Sequence, residues 1–182
     1  DEQGSFFHPL VHFLILGVNG AFLTGDLFNV FVFFEVLLIA SYALLMHGGG
    51  KPKTRAALHY VILNLAGSSV FLIGLGILYG VLGTLNIADM ANKIPALTGD
   101  DVYLAKAGGL LLLVVFALKS ALLPLHLWLP NAYSGAKPVV AALFAIMTKV
   151  GVYATLRVYT VIFGEQAGEL AYMVQSWLWV LA

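Results

Sequence analysis

The chain has 182 residues, 61% of them hydrophobic and only 10% charged, with nine basic and nine acidic side chains that cancel. Ordinary soluble domains carry about 25% charged residues, so a mean hydropathy of +0.96 makes a bilayer, not water, the natural solvent. The neutral balance excludes the basic patch that nucleic-acid binding needs. The lack of cysteine excludes disulfides, thiolate-held clusters and a cysteine nucleophile within this stretch.

Apolar segments follow one another along the chain. The first spans about 6–24 and the second about 26–47, separated by Gly25, with Asp26 placed to cap the second. The third covers about 53–82. A polar stretch at 83–101 contains a short surface helix around 87–92. The fourth span runs over about 101–130, the fifth over 138–163, and a last one begins near 168 and is cut off by the end of the sequence. Each complete segment is close to or above the roughly 20 residues that cross a bilayer as a helix. The short alternating segments of a membrane β-barrel are absent. The expected fold is all-α, a polytopic transmembrane helix bundle in one domain over 1–182. A start at Asp1 without methionine, and an end inside an apolar run at Ala182, read as an internal fragment of a longer chain.

Loop charge gives an expected orientation. Loop 47–55 carries Lys51, Lys53 and Arg55, and loop 131–138 carries Lys137. Loop 83–101 carries Asp89, Asp100 and Asp101 against one Lys93, and Glu165 lies in the next. The positive-inside rule places loops 47–55 and 131–138 in the cytoplasm. The protein is then a multi-pass protein of the cell (inner) membrane.

Three ionisable residues fall deep inside apolar segments: Glu35 in the second, Lys119 in the fourth and Lys149 in the fifth. Lys149 follows Pro138 by eleven residues, roughly 17 Å of helix. A charge at the bilayer centre costs about 2.5–3.5 kcal/mol on insertion scales, so all three are expected to turn inward, with Glu35 paired to a lysine. Burial disfavours the charged form of a lysine and a carboxylate neighbour favours it. A group poised between the two exchanges a proton when its neighbour changes, which a proton relay requires. The competing reading is a static ion pair that fixes packing.

Pro124 breaks the fourth span, because it lacks an N–H and clashes with the preceding turn; it frees the carbonyl of Ser120 beside Lys119. Transporters place ion sites at such discontinuities. His126 lies seven residues after Lys119 and shares its face if the helix resumes, so it joins the relay. Gly151 beside Lys149 either loosens the fifth helix or packs it closely. His59, about one turn inside the third span, is a candidate for proton uptake from the cytoplasm. His8 and His12 flank Pro9 at the membrane edge and make no metal site. Gly48–Thr54 lacks the spacing and preceding strand of a phosphate loop. Arg157 is expected to face protein rather than lipid. No catalytic residue, cofactor or metal is expected.

The pattern Glu35, then Lys119-Ser-Ala-Leu-Leu-Pro124-Leu-His126-Leu-Trp128-Leu-Pro130, then Lys149 resembles the antiporter-like proton-translocating subunit family. That family comprises the large membrane subunits of respiratory complex I and the A and D subunits of Mrp cation/proton antiporters. The strings Gly25–Leu45 and Leu143–Tyr153 are similar to the Mrp D branch. Complex I subunits usually carry a proline near Ser41-Tyr42, and Asp-Ala-His where this chain has Asn131-Ala-Tyr133. Lys137 before Pro138 departs from the small residue or proline usual in the family. The resemblance implies a fragment of an inverted-repeat antiporter fold, in which Glu35 pairs with Lys119 and protons continue through His126 to Lys149. It implies a non-enzymatic subunit of a hetero-oligomeric membrane complex that exchanges protons for Na+. The alternatives are a proton-pumping subunit of a redox complex and a membrane scaffold with structural ion pairs.

Overall fold

The computed structural model describes Gly4, residues 6–47 and residues 51–181, except for the side chains at 51–53, 56, 176 and 181. Among the described residues eight α-helices follow in order: α1 (Phe7–Leu23), α2 (Leu27–Met46), α3 (Lys51–Leu82), α4 (Ile87–Lys93), α5 (Asp100–Lys119), α6 (Trp128–Gly135), α7 (Pro138–Val161) and α8 (Gln175–Leu181). The fold is all-α. Four helices, α2, α3, α5 and α7, are long and apolar enough to cross a membrane.

The helix ends follow from local chemistry. Asp26 caps α2, its carboxylate accepting from the Asn29 N–H at 3.0 Å. Asn86 caps α4 by accepting from the N–H groups of Ala88 and Asp89. Gly83, at φ 68°, ends α3, a left-handed conformation that glycine adopts without steric cost. Pro138 opens α7 in the first turn, where its missing N–H is harmless. The segments before α2 and α4 pair as an isolated bridge between Asp26 and Asn86. Leu27 N–H donates to Leu85 O, and Ile87 N–H donates to Gly25 O, each at 2.9 Å. The short helix expected at 87–92 is present as α4. Its Lys93 donates to the Leu82 carbonyl at the end of α3 at 3.2 Å and pairs with Asp89 at 3.0 Å. The hydrogen bond from Lys93 holds the Asp89 carboxyl below the usual carboxylate range.

Two expected spans change, and the first, which keeps its bounds to within a residue, is shorter than a full crossing. The first yields a 17-residue helix, about 25 Å long, because the chain is extended at Thr24 and Asp26; this is short of the hydrocarbon thickness of about 30 Å. The fourth does not run to Pro130: α5 stops at Lys119, and a 3-10 turn at Leu125–Leu127 leads into the short α6. The last begins with turns and a 3-10 segment at Gly168–Leu170, so α8 starts only at Gln175. Of the expected basic loop 47–55, residues 48–50 lie outside the described residues, and 51–55 already belong to α3, which starts at Lys51.

Helices α1 and α2 lie against each other along their length, as do α3 and α5. Gly17 allows the first contact: a Cβ there would stand 2.6 Å from the backbone nitrogen of Leu37. Backbone cannot retreat as a flexible side chain does, and close approach through small residues is how membrane helices gain packing. Gly17→Val is therefore expected to force α1 off α2 and to destabilise the protein by about 1–3 kcal/mol. The check is a lowered Tm of the purified protein in detergent; an unchanged Tm would refute the contact.

Candidate functional site

A stripe of polar residues runs down α3 at four-residue spacing, Tyr60, Asn64 and Ser68, and faces the bundle interior, where all three are buried. Glu35 on α2 and Lys119, the last residue of α5, meet this stripe from two sides. Lys119 is 4% exposed. Its ammonium lies 3.4 Å from Ser68 Oγ, 3.4 Å from Asn64 Oδ1 and 3.5 Å from the Asn64 carbonyl. These three acceptors match the three donors of an ammonium. The Ser68 hydroxyl makes a short hydrogen bond to Glu35 Oε1. Because Ser68 accepts from Lys119, its single proton is available to the carboxylate or to the Asn64 carbonyl 3.0 Å away. The chain of groups reads Nζ–H to Oγ–H to Oε1.

The pairing of Glu35 with Lys119 is thus bridged, not direct. Among the described residues the recorded ion pair is the surface Lys93–Asp89. Asn64 and Ser68 escaped the sequence reading because neither is ionisable. The signal was available, though: two polar residues one turn apart in an otherwise apolar stretch that continues from Tyr60. Tyr60 in turn bonds Ser41 at 2.9 Å, and Ser41 gives its proton to Leu38 O at 2.7 Å, so the Tyr60 hydroxyl is the donor. Its ring stacks on Trp128 with centroids 5.1 Å apart.

The helix break differs in mechanism from the expected one. The α-helix ends at Lys119, five residues before Pro124. Ala121 takes a left-handed φ of 54°; its N–H bonds Leu118 O at 3.1 Å, and the Leu122 N–H reaches back to Ala117 O at 2.9 Å. That pair of bonds is a Schellman closure, which satisfies carbonyls that a terminating helix leaves open. Trp128 adds an indole N–H to Leu118 O at 2.9 Å. Lys119 therefore occupies the last turn of its helix, the end whose dipole favours positive charge. Pro124, reached through a cis peptide, lies in the turn beyond.

Two consequences correct the sequence reading. His126 does not share a resumed helical face with Lys119; it lies in the 3-10 turn, with Nδ1 buried and lacking a hydrogen-bond partner. Ser120 Oγ is likewise buried and unpartnered. Gly151 is no break, since α7 runs unbroken from Pro138 to Val161. It is a packing point: a Cβ there would lie 2.8 Å from Ser120 N and 3.0 Å from the carbonyl carbon of Lys119.

Lys149 is not brought to this cluster. It lies on the exposed side of α7, while Thr148, Val150 and Gly151 turn inward. His59 is exposed on α3, on the side away from the Asn64–Ser68 stripe. Arg157 gains a definite place: its Nη1 donates to the Tyr153 hydroxyl at 2.7 Å and to Phe22 O at 3.3 Å, and Tyr153 donates to the same carbonyl at 2.8 Å. Phe22 is in the last turn of α1, so the guanidinium caps that helix's negative end.

A non-glycine residue in the left-handed region is strained by about 1–2 kcal/mol. Ala121→Gly is expected to relieve that strain and raise the Tm by a few degrees in a thermal melt; a lowered Tm would show that the Ala121 methyl contributes more than its backbone costs.

Residues 24–182 match the family model described as NADH:quinone oxidoreductase/Mrp antiporter, TM. The D subunit of a probable K(+)/H(+) antiporter of Rhizobium meliloti is 50% identical over 96% of this chain and 32% of its own length. The D subunit of the Na(+)/H(+) antiporter of Bacillus subtilis is 47% identical over 100% of this chain and 36% of its own. The chain thus spans about a third of the curated relatives it matches. Among solved structures, the Mrp complex from Dietzia superposes with a TM-score of 0.79 at 41% identity, over 87% of this chain and 30% of that one. A membrane-bound sulfane sulfur reductase, an archaeal respiratory membrane complex, gives 0.83 at 32% identity, over 94% of this chain and 34% of that one. With the match covering nearly the whole sequence, this chain belongs to the NADH:quinone oxidoreductase/Mrp antiporter transmembrane family.

Proposed function

We propose that this chain is the proton-carrying portion of a D-type subunit of a multi-subunit cation/proton antiporter, in which inward protons drive Na+ or another monovalent cation outward. The observation that carries the reading is the hydroxyl of Ser68 between the Glu35 carboxylate and the Lys119 ammonium. A proton leaves Nζ for Oγ as the Oγ proton passes to Oε1, so the hydroxyl ends unchanged and one charge pair is neutralised. Unit charges roughly 5 Å apart at an effective dielectric near 20 interact by about 3 kcal/mol. Protonating Glu35 from elsewhere removes that attraction. A pair of this kind passes protons only in step with its neighbours, and coupled exchange needs that property.

His126 and Lys149 continue the route in this proposal. The face of α7 that bears Lys149 is open in this chain, and relatives about three times as long have further polypeptide to cover it. His59 takes up protons from the cytoplasm, with loops 47–55 and 131–138 on that side of the cell membrane. The relatives' names favour transport over catalysis. A second reading, a pumping subunit of a redox complex, draws on the superpositions with the archaeal reductase and with Thermus thermophilus complex I at a TM-score of 0.70. Those likenesses are 32% and 29% identical, against 47–50% for the antiporter subunits, and we place the chain with the latter.

Lys119→Ala in the assembled complex is expected to cut Na+-driven proton movement in inverted membrane vesicles at least tenfold. An assembled variant that exchanges at the normal rate sinks the relay and leaves a scaffold role. Ser68→Ala is expected to slow exchange by about tenfold with the KM for Na+ unchanged, and Ser68→Thr, which keeps a hydroxyl, to restore it. Equal slowing by alanine and threonine would show that Ser68 acts through packing instead.

A further inference from the structure

Phe34, next to Glu35 in sequence and 1% exposed, lines two small voids at once. The first, of about 10 Å³, is bounded by Lys119, Asn64, Tyr60, Trp128 and Met147 on its other sides. The second, also about 10 Å³, is bounded by Tyr153, Arg157, Ala154, Leu27 and Ile87 among others. Each is about the size that a single water needs. The first offers the Lys119 ammonium and the Asn64 carboxamide as partners. The second is lined by Tyr153 and Arg157 in an otherwise apolar wall, and both already bond the Phe22 carbonyl. Its other landmarks, Leu27 and Ile87, are the residues whose N–H groups tie the α2 and α4 starts together. The second void therefore lies toward the end of the bundle marked by the Asp26–Asn86 bridge.

The Lys119 ammonium stands 6.0 Å from the Phe34 centroid, within the range where a cation is drawn to a ring face. A neutral lysine exerts no such pull. The remaining ring neighbour recorded for Phe34 is Phe71, edge-on at 6.3 Å, an arrangement compatible with more than one ring orientation.

We propose that Phe34 is a gate between two single-water sites. While Lys119 is charged the ring stays closed. When Lys119 gives up its proton the ring swings, and a side branch opens from the relay past Tyr153 and Arg157 to the Asp26–Asn86 end. The inference rests on the proton-carrying reading above, and its test separates the two.

The assay is passive proton leak in proteoliposomes holding the complete complex, with an imposed pH difference and no Na+. Phe34→Ala is expected to raise the leak at least tenfold, and the double variant Phe34→Ala/Lys119→Ala to return it to the wild-type level. Phe163→Ala, an equally buried aromatic away from both voids, is expected to leave it unchanged and so controls for general loosening. Should the alanine variant not assemble, Phe34→Val is expected to move the leak in the same direction. A wild-type leak in an assembled Phe34 variant, or a leak that survives loss of Lys119, overturns the gate. Intact Na+/H+ exchange in Lys119→Ala alone overturns the relay instead.

Discussion

An ammonium at membrane depth must find its hydrogen-bond acceptors within the protein, and the centre of this structure is arranged around that requirement. Lys119 takes all of its near acceptors from one helix, α3, through Asn64 and Ser68. The cost of placing a charge there, several kcal/mol if unmet, explains why α5 stops where it does. By ending at Lys119 the helix offers the charge its carbonyl pole. The Schellman closure and the Trp128 indole then satisfy the backbone that the break exposes. Charge, break and tryptophan form one device, and the residues between Lys119 and Trp128 serve to close it.

A second contribution comes from hydroxyls rather than charges. Tyr60 donates to Ser41, which donates on to Leu38 O, while Ser68 accepts from Lys119 and lies against both the Glu35 carboxylate and the Asn64 carbonyl. Aromatic rings pack around this path: Tyr60 on Trp128 and Phe144, Phe34 on Phe71. The polar path is narrow, and the interior around it is apolar and close-packed. In such surroundings a hydrogen bond is electrostatically stronger than in water, and each polar group depends on its immediate partners.

Much of the fold was legible in the residues. Spans two, three and five appear as α2, α3 and α7 to within a few residues, because twenty-residue apolar runs between polar breaks have few other solutions in a bilayer. The short surface helix expected around 87–92 is present as α4, and its Asn86 cap emerged only from the structure. What could not be read was direction around the helix. Lys149 and Lys119 look alike in sequence, yet one is exposed and the other buried, since an apolar helix offers no contrast between its faces. The break was assigned to Pro124 because proline is the conspicuous breaker, whereas the chain turns at Ala121, a residue with no turn signal of its own. Glu35 and Lys119 were found through their charge. Asn64 and Ser68, which join them, carry none and were overlooked.

Gly151 gives these elements a common packing point. Its bare backbone rests against Ser120 and the carbonyl of Lys119, two residues beyond Lys149. Lys119 is buried and Lys149 exposed, so the contact through Gly151 joins the helix that carries the inward amine to the one that carries the outward amine. A side chain added at position 151 would push the end of α5 and the middle of α7 apart, so the fit between those two helices depends on the missing methyl.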